Sequence, residues 1–259
     1  MLGNHLSRIG SRFCRSRGHL GCQFLALGIL IGFVAGFSSA FADPETAQYL
    51  SSRTQGFQVF VSPEMVKEPT LLKKTMGLLN QKLEQVRTLL KPDQLARLQN
   101  VKIWIEKNKT YSATEFHSSR QWLVENKYNP DKENSIEISN AQNFLDWATT
   151  DQPLMLLHEF AHAYMFIVLG EDYAPLEKAW VSIRQTNLYA SVPYIRGGRR
   201  EAYAHTNRNE YFAELSEAYF GKNDFFPYDI NDLKSYDPAG FKLMESVWGK
   251  RDGLAIVSR

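Results

Sequence analysis

The chain has 259 residues, with 30 basic and 28 acidic side chains and a formal net charge of +2. Four arginines, both cysteines and no acid lie in the first 42 residues, so the rest of the chain has 26 basic and 28 acidic side chains and a net charge of −2. This balance excludes the basic footprint of a nucleic-acid-binding protein. Without cysteine after residue 42, this part of the chain contains no thiol ligand and no disulfide. The remaining length of about 217 residues suits one domain.

Residues 1–42 have the pattern of a secretory signal peptide. A basic start is followed by an apolar run from Phe24 to Phe37 and by Ala40-Phe41-Ala42, which predicts cleavage before Asp43. We therefore expect a secreted or periplasmic protein. The alternatives are an uncleaved membrane anchor through residues 24–42 and an organellar presequence. A lipoprotein is disfavoured because Cys22 precedes the apolar run.

Strands and one long amphipathic helix are predicted in the segment that follows. Alternating apolar residues predict strands over 56–62, 101–106 and 135–139. A helix is predicted from about Leu71 to Leu90. Its apolar face is formed by Met76, Leu79, Leu83, Val86 and Leu90. The lone His117 has the setting of a loop or core histidine rather than of a metal ligand.

Residues 153–169 are almost wholly apolar but contain the sequence His158-Glu159-Phe160-Ala161-His162. A helix that is apolar on all sides lies inside a protein, and the central polar residues argue against a membrane span. Histidines four residues apart share one helical face and can ligate one metal ion, while Glu159 projects to its flank. Zinc lowers the pKa of a bound water to about 7, and such a carboxylate takes the proton as the water attacks a carbonyl. The segment therefore predicts a buried helix with half of a zinc hydrolase site.

A catalytic zinc ion keeps three protein ligands and leaves one position for water, so one ligand is still required. The metzincin continuation is absent, because Met165 and Val168 stand where glycine and histidine are needed. The remaining candidates lie in the segment 203–214. From the residues alone, both His205 and Glu210 stay open as the third ligand.

The segment 203–220 has the pattern of a loop, a cap and a helix, with Asn207 as the expected N-cap. Apolar residues then recur at helical spacing: Tyr211, Phe212, Leu215, Ala218 and Tyr219. Glu210, Glu214 and Glu217 recur on another side of the same helix. This acidic row is either a solvated face or part of the metal site, and a zinc half-site that lacks its third ligand favours the second interpretation.

The rest of the chain after Gly170 is predicted to be mostly helical. One helix is expected from Tyr173 to about Gln185 and the last from Pro238 to Trp248. A basic, glycine-containing loop over 196–200 lies between them, just before Tyr203. It is a lid, a recognition element for acidic side chains or a solvated turn.

The pair of motifs HEFAH, at residues 158–162, and NEYFAE, at residues 209–214, resembles the gluzincin zinc metallopeptidases. It is most similar to the branch that includes toxin lethal factor and bacterial secreted relatives, and the resemblance covers residues 153–220. It implies that Glu210 is the third zinc ligand. It also implies that Glu214 is a carboxylate that holds a ligand imidazole in place, and that Tyr203 is the catalytic phenol.

The resemblance also implies an α+β, zincin-like fold with a single metallopeptidase domain over 43–259. A small mixed sheet is expected in the amino lobe, about 43–169, and a mainly helical carboxyl lobe over about 170–259, with the active-site helix between them. The strand over 135–139 would edge the cleft, where a peptide could pair with it. Otherwise it is an ordinary edge strand kept soluble by Glu137.

The sequence thus predicts a secreted zinc endopeptidase with one catalytic Zn²⁺, in which Glu159 and Tyr203 are catalytic. Its expected partner is a peptide or protein substrate, and a membrane only if the amino-terminal segment stays uncleaved. One alternative is a zinc hydrolase of a nonpeptide amide, such as a cell-wall fragment. The other is a noncatalytic secreted binding protein that contains zinc.

Overall fold

A computed structural model describes residues 45–251, all of which belong to one compact unit. The predicted signal peptide, with Cys14 and Cys22, lies outside the described residues. The described part is an α+β structure with a small mixed sheet, as the sequence predicts. Its helices, taken over residues 45–251, include none with the length and hydropathy needed to cross a membrane.

The amino-terminal part contains the main sheet and six helices. The strands are β1 (Leu50–Thr54), β2 (Phe57–Val61), β3 (Lys102–Ile105), β4 (Glu115–His117) and β5 (Ser135–Ile138). The helices are α1 (Pro63–Val66), α2 (Pro69–Leu89), α3 (Pro92–Leu98), α4 (Arg120–Glu125), α5 (Ala141–Thr149) and α6 (Met155–Tyr164). The three predicted strands correspond to β2, β3 and β5, and the predicted long helix corresponds to α2, so these predictions are confirmed.

The strands are arranged in the order β1-β2-β3-β5-β4. The three central strands are parallel, and the two outer strands pair antiparallel with their neighbours. Apolar side chains form a row across the sheet, since Val59 is opposite Ile103 and Ile103 is opposite Ile136, and all three are fully buried. Leu79 and Leu83 of α2 belong to the same core. Burying one such side chain contributes about 1.5–3 kcal/mol, so this row fixes the sheet against the helices.

The prediction that residues 135–139 form an edge strand is wrong. These residues form β5, which lies between β3 and β4, and β4 is the edge strand instead. Glu137 is accordingly buried rather than solvated, and its carboxylate lies 2.7 Å from Lys132 Nζ and 2.6 Å from His117 Nε2. With three residues, β4 is too short for its alternation to indicate a strand in the sequence.

All ten residues of α6 are buried, which confirms the predicted buried helix. The chain continues through a π-helical turn, Met165–Leu169, and leaves it at Gly170, whose φ of 83° favours glycine. The helix contacts β4 and β5 on the sheet side and a later helix, Arg208–Phe220, on the other. The histidines of α6 therefore lie between the sheet and the carboxyl-terminal helices.

The carboxyl-terminal part is mainly helical. It contains α7 (Ala174–Thr186), α8 (Arg208–Phe220), α9 (Ile230–Tyr236) and α10 (Pro238–Trp248), with a short hairpin of β6 (Val192–Pro193) and β7 (Arg199–Arg200). The predicted cap is confirmed, because the Asn207 side chain accepts hydrogen bonds from the backbone of Asn209 and Glu210. Residues 196–198 of the basic loop lie in the turn of the hairpin, where Arg196 pairs with Asp151, and the remaining two residues form β7. Its role in recognition stays a prediction.

Candidate metal centre

Three side chains converge where α6 packs against α8. His158 and His162 lie one turn apart on α6, and their ring centroids are 4.8 Å apart. Glu210, in the first turn of α8, places its Oε2 atom 3.1 Å from His158 Nε2 and 3.2 Å from His162 Nε2. The structure therefore brings together the two histidines predicted from the motif and the glutamate implied by the resemblance.

The distances from Glu210 Oε2 to the two histidine nitrogens fit a metal site. In a tetrahedral site with bonds of about 2.0–2.1 Å, neighbouring ligand atoms lie about 3.3 Å apart, which agrees with the 3.1 and 3.2 Å observed. Two imidazole nitrogens and one carboxylate oxygen are also a ligand set that a divalent first-row metal accepts. The three residues could therefore hold one metal ion.

The electrostatics of the three groups favour a cation between them. Burial would raise the pKa of Glu210, but the charge of His162 and the hydrogen bonds to both histidines outweigh it and lower that pKa strongly. Burial would likewise lower the pKa of His158, but hydrogen bonds to Glu210 and Glu217 raise it well above its usual value. The carboxylate and the imidazoles thus stabilise positive charge at their common point, as a proton or as a metal ion.

Glu159 lies beside this group and is 6% exposed. Burial raises the pKa of its carboxyl group, and this effect outweighs the nearby His158 and His162, which lower that pKa. Its Oε1 atom accepts a hydrogen bond of 2.9 Å from Thr114 Oγ1. Thr114 precedes β4 and was not singled out in the sequence, because no local pattern indicates a partner 45 residues away.

Tyr203 lies in the 3₁₀ turn Tyr203–His205, close to the start of α8. Its ring centroid is 6.2 Å from that of His158, with 23° between the ring planes. Desolvation of the phenol, together with the charges of Glu210 and Glu159, raises the pKa of Tyr203 above its usual value, although 47% of the residue is exposed. The phenol is therefore neutral at physiological pH, able to donate a hydrogen bond, and next to the three converging residues.

His205, the alternative third ligand, does not join the site. Its Nδ1 atom is 2.5 Å from Glu201 Oε1, and its Nε2 atom accepts a hydrogen bond of 3.2 Å from Arg184 Nη1. Both ring nitrogens are thus engaged by other residues. His117 also lies elsewhere, buried and bonded to Glu137 as described above, which confirms that it is a core histidine.

The rest of the acidic row on α8 is buried, so the interpretation as a solvated face is wrong. Glu214 is 4% exposed and Glu217 is 3% exposed, because α6 covers this side of the helix. The expected hydrogen bond between Glu214 and a ligand imidazole is not formed: Glu214 Oε1 is 3.9 Å from His158 Nδ1. Glu217 Oε1 is 3.1 Å from that nitrogen instead. The sequence showed that Glu214 and Glu217 both lie on this side of the helix, but the spacing did not indicate which of them contacts His158.

A third carboxylate, Asp224, lies near this pair. Burial, followed by the charge of Glu217, raises the pKa of Asp224 to about 6. Gln152 Nε2 donates a hydrogen bond of 3.4 Å to Asp224 Oδ2. Buried carboxyl groups thus lie behind His158, and their mutual repulsion contributes to the raised pKa of Asp224.

Comparisons of the chain with protein-family models, with curated protein sequences and with solved structures found no match.

Proposed function

We propose that this protein is a zinc-dependent endopeptidase of the gluzincin type, with a zincin-like fold, that is exported from the cytosol. The observation that carries the proposal is the position of Glu210 Oε2, 3.1 Å from His158 Nε2 and 3.2 Å from His162 Nε2, beside the buried Glu159. Two histidines and a carboxylate with an adjacent glutamate are the ligand set and base of a catalytic zinc site.

The residues of the chain divide the chemistry among them. His158, His162 and Glu210 would hold the ion, which when bound supplies Lewis acidity that polarises a carbonyl and makes water a stronger acid. Glu159 accepts a proton from the attacking water, and Thr114 holds one of its oxygens in place. Tyr203 donates a hydrogen bond to the oxygen on which negative charge develops, a contribution worth about 2.7–4 kcal/mol for comparable donors.

A catalytic site explains the residues around the metal ligands better than a structural one. Structural zinc sites usually close four positions with protein ligands. Among the described residues, the possible metal-binding group that contains Glu210 has only three members, the other two being His158 and His162. A purely structural zinc site does not require Glu159 and Tyr203 beside the ligands. This comparison favours an enzyme over a noncatalytic binding protein.

The edge of the sheet favours an extended substrate. Strand β4 pairs with β5 on one side only, and within residues 45–251 no strand pairs with its other side. Thr114, immediately before β4, contacts the proposed base, so this edge runs next to the site of attack. A peptide could add to β4 by backbone hydrogen bonds and place its carbonyl near Glu159. The arrangement supports peptide hydrolysis over cleavage of a compact amide.

The proposal is tested by incubating the zinc-loaded protein with peptide libraries and, in parallel, with cell-wall amides. We expect cleavage of peptides that stops on adding a chelator and returns on adding zinc. Glu159→Gln should keep zinc and lose hydrolysis, because only the proton acceptor is removed. Glu84→Gln, the same change at an exposed position of α2, is the matched control and should stay active. Cleavage of cell-wall amides alone would favour the second substrate class, and a fully active Glu159→Gln protein would refute the assigned base.

A further inference from the structure

Glu217 makes a contact at the metal centre that the motifs do not predict. It lies on α8 seven residues after Glu210, its side chain is 4% exposed, and its Oε1 atom is 3.1 Å from His158 Nδ1. Glu214 follows Glu210 by only one turn, yet its Oε1 atom is 3.9 Å from the same nitrogen. Because N–H···O hydrogen bonds span about 2.7–3.2 Å, Glu217 is the carboxylate that bonds to His158.

Glu214 has a different partner. Its Oε2 atom accepts a hydrogen bond of 3.0 Å from Asn223 Nδ2, in the segment that follows α8. That bond fixes the segment against the helix, so the contacts of Glu214 hold the local fold. The two neighbouring carboxylates, similar in sequence and burial, therefore have different tasks.

We infer that Glu217, rather than Glu214, is the positioning residue for His158 in the hydrolase proposed above, and this inference rests on that proposed function. Metal binding through Nε2, the atom that faces Glu210 Oε2 at 3.1 Å, requires the lone pair on Nε2 and the proton of the neutral imidazole on Nδ1. The Glu217 carboxylate lies where it accepts a hydrogen bond from that proton. Glu217 thereby sets both the tautomer and the ring orientation that metal binding requires.

Burial makes this contact hard to replace. The side chain of His158 is 9% exposed and that of Glu217 is 4% exposed, so water has little access to their bond. Removal of the carboxylate would leave a buried N–H without an acceptor or let the ring turn and protonate Nε2 instead. Glu214 could substitute only by leaving Asn223 and approaching His158 Nδ1 from its present 3.9 Å.

The test compares substitutions of the two glutamates in the full 259-residue chain. Zinc affinity is measured by competition with a chromogenic chelator for Glu217→Ala, Glu217→Gln, Glu214→Ala and Glu214→Gln. The protonated nitrogen of His158 is identified in the metal-free protein from its ¹⁵N chemical shifts, at a pH high enough for the imidazole to be neutral, because its pKa is raised. Circular dichroism checks that each variant folds. If an alanine variant does not fold, the comparison is made with the glutamine variants, which keep the side-chain volume.

We expect Glu217→Ala to weaken zinc binding by about 10- to 100-fold, the usual range for loss of such an outer carboxylate. Glu217→Gln should recover part of the loss because its amide oxygen still accepts from Nδ1. Each substitution of Glu214 should cost less than the matching one of Glu217. In the metal-free protein, Glu217→Ala should shift the proton of His158 away from Nδ1, while Glu214→Ala should leave it there.

The inference is overturned if the Glu214 variants lose more zinc affinity than the Glu217 variants, or if the His158 proton stays on Nδ1 without Glu217. Both measurements are independent of hydrolysis. A wild-type protein that binds zinc but cleaves no peptide would therefore refute the proposed function while the role of Glu217 could still be confirmed. If the wild type binds no zinc, the proposed function fails, and the role of Glu217 for metal binding fails with it.

Discussion

Thr114 Oγ1 donates a hydrogen bond of 2.9 Å to Glu159 Oε1, across 45 positions of the chain. Thr114 immediately precedes the edge strand β4, and Glu159 lies in the middle of α6. The bond therefore connects the edge of the sheet to the carboxylate proposed as the base. Both residues are buried, at 7% and 6% exposure, so water does not easily take over the contact.

Thr114→Val is expected to lower kcat/KM by about tenfold, because a hydrogen bond of this kind contributes about 0.5–1.5 kcal/mol, or somewhat more to a charged group. The effect should fall on kcat, since the orientation of the base is lost while the metal ligands are untouched. Thr114→Ser, which keeps the hydroxyl, is the control and should retain most of the activity. Steady-state kinetics with zinc content measured in parallel decide the matter, and equal kcat in the valine variant would show that the bond is only structural.

Glu210→Ala should strongly reduce zinc content, because one of the three converging ligands is removed. His205→Asn should retain zinc, since both nitrogens of His205 are engaged by Glu201 and Arg184 away from the site. Metal stoichiometry after dialysis, measured by atomic absorption, distinguishes the two. Full zinc occupancy in Glu210→Ala, with loss in the His205 variant, would reverse the assignment of the third ligand.

Tyr203→Phe should lower turnover by about 10²- to 10³-fold, as for loss of one donor to a developing oxyanion. Zinc affinity should change little, because the Tyr203 ring lies 6.2 Å from the His158 ring, beside the three proposed ligands. The check is a comparison of kcat, KM and zinc affinity between the two proteins. An active phenylalanine variant would reduce Tyr203 to a packing residue next to His158.

Acid should destabilise the fold through Glu137. Burial would raise the pKa of this carboxyl group, but the hydrogen bond from His117 and the charge of Lys132 outweigh it and lower the pKa to about 2. Because the folded pKa lies below the unfolded value of about 4.5, the stabilisation is complete above pH 4.5 and is lost as the pH falls toward 2. The loss is on the order of 3 kcal/mol.

Chemical denaturation of the metal-free protein between pH 7 and pH 3 measures the larger part of this loss, about 2 kcal/mol, without the contribution of metal release. Glu137→Gln should be less stable at pH 7, because Lys132 is left buried with one fewer partner. Its stability should also fall less steeply between pH 4.5 and pH 3. If both proteins lose stability in parallel, other carboxylates cause the acid sensitivity.

Local patterns in the sequence were sufficient for the elements on which the site is built. The apolar run over 153–169 indicated a buried helix because a helix with no polar face has no side to turn to water. The four-residue spacing of His158 and His162 fixed their shared face through the helical period. The cap at Asn207 was visible because it depends on hydrogen bonds within three residues.

The edge of the sheet was decided by the tertiary structure. The three residues of β4 have no periodicity of their own, and they form a strand because β5 offers unpaired backbone groups beside them. Their position in turn buries Glu137, whose charge is compensated by Lys132 and His117. Neither partner could be chosen from the sequence, because the pairing depends on how the loops around β5 close.

The division of tasks between Glu214 and Glu217 also belongs to the tertiary structure. At about 100° per residue, the positions four and seven residues after Glu210 lie about 40° and 20° from it on opposite sides of the helix, so spacing does not choose between them. The packing of α8 on α6 determines which glutamate bonds to His158, because it brings Glu217 Oε1 to 3.1 Å from His158 Nδ1 and leaves Glu214 Oε1 at 3.9 Å. The sequence by itself determined that His158 and His162 share one face of a buried helix, because the helical period is fixed. The distances that assign their roles arose only when two helices far apart in the chain packed together.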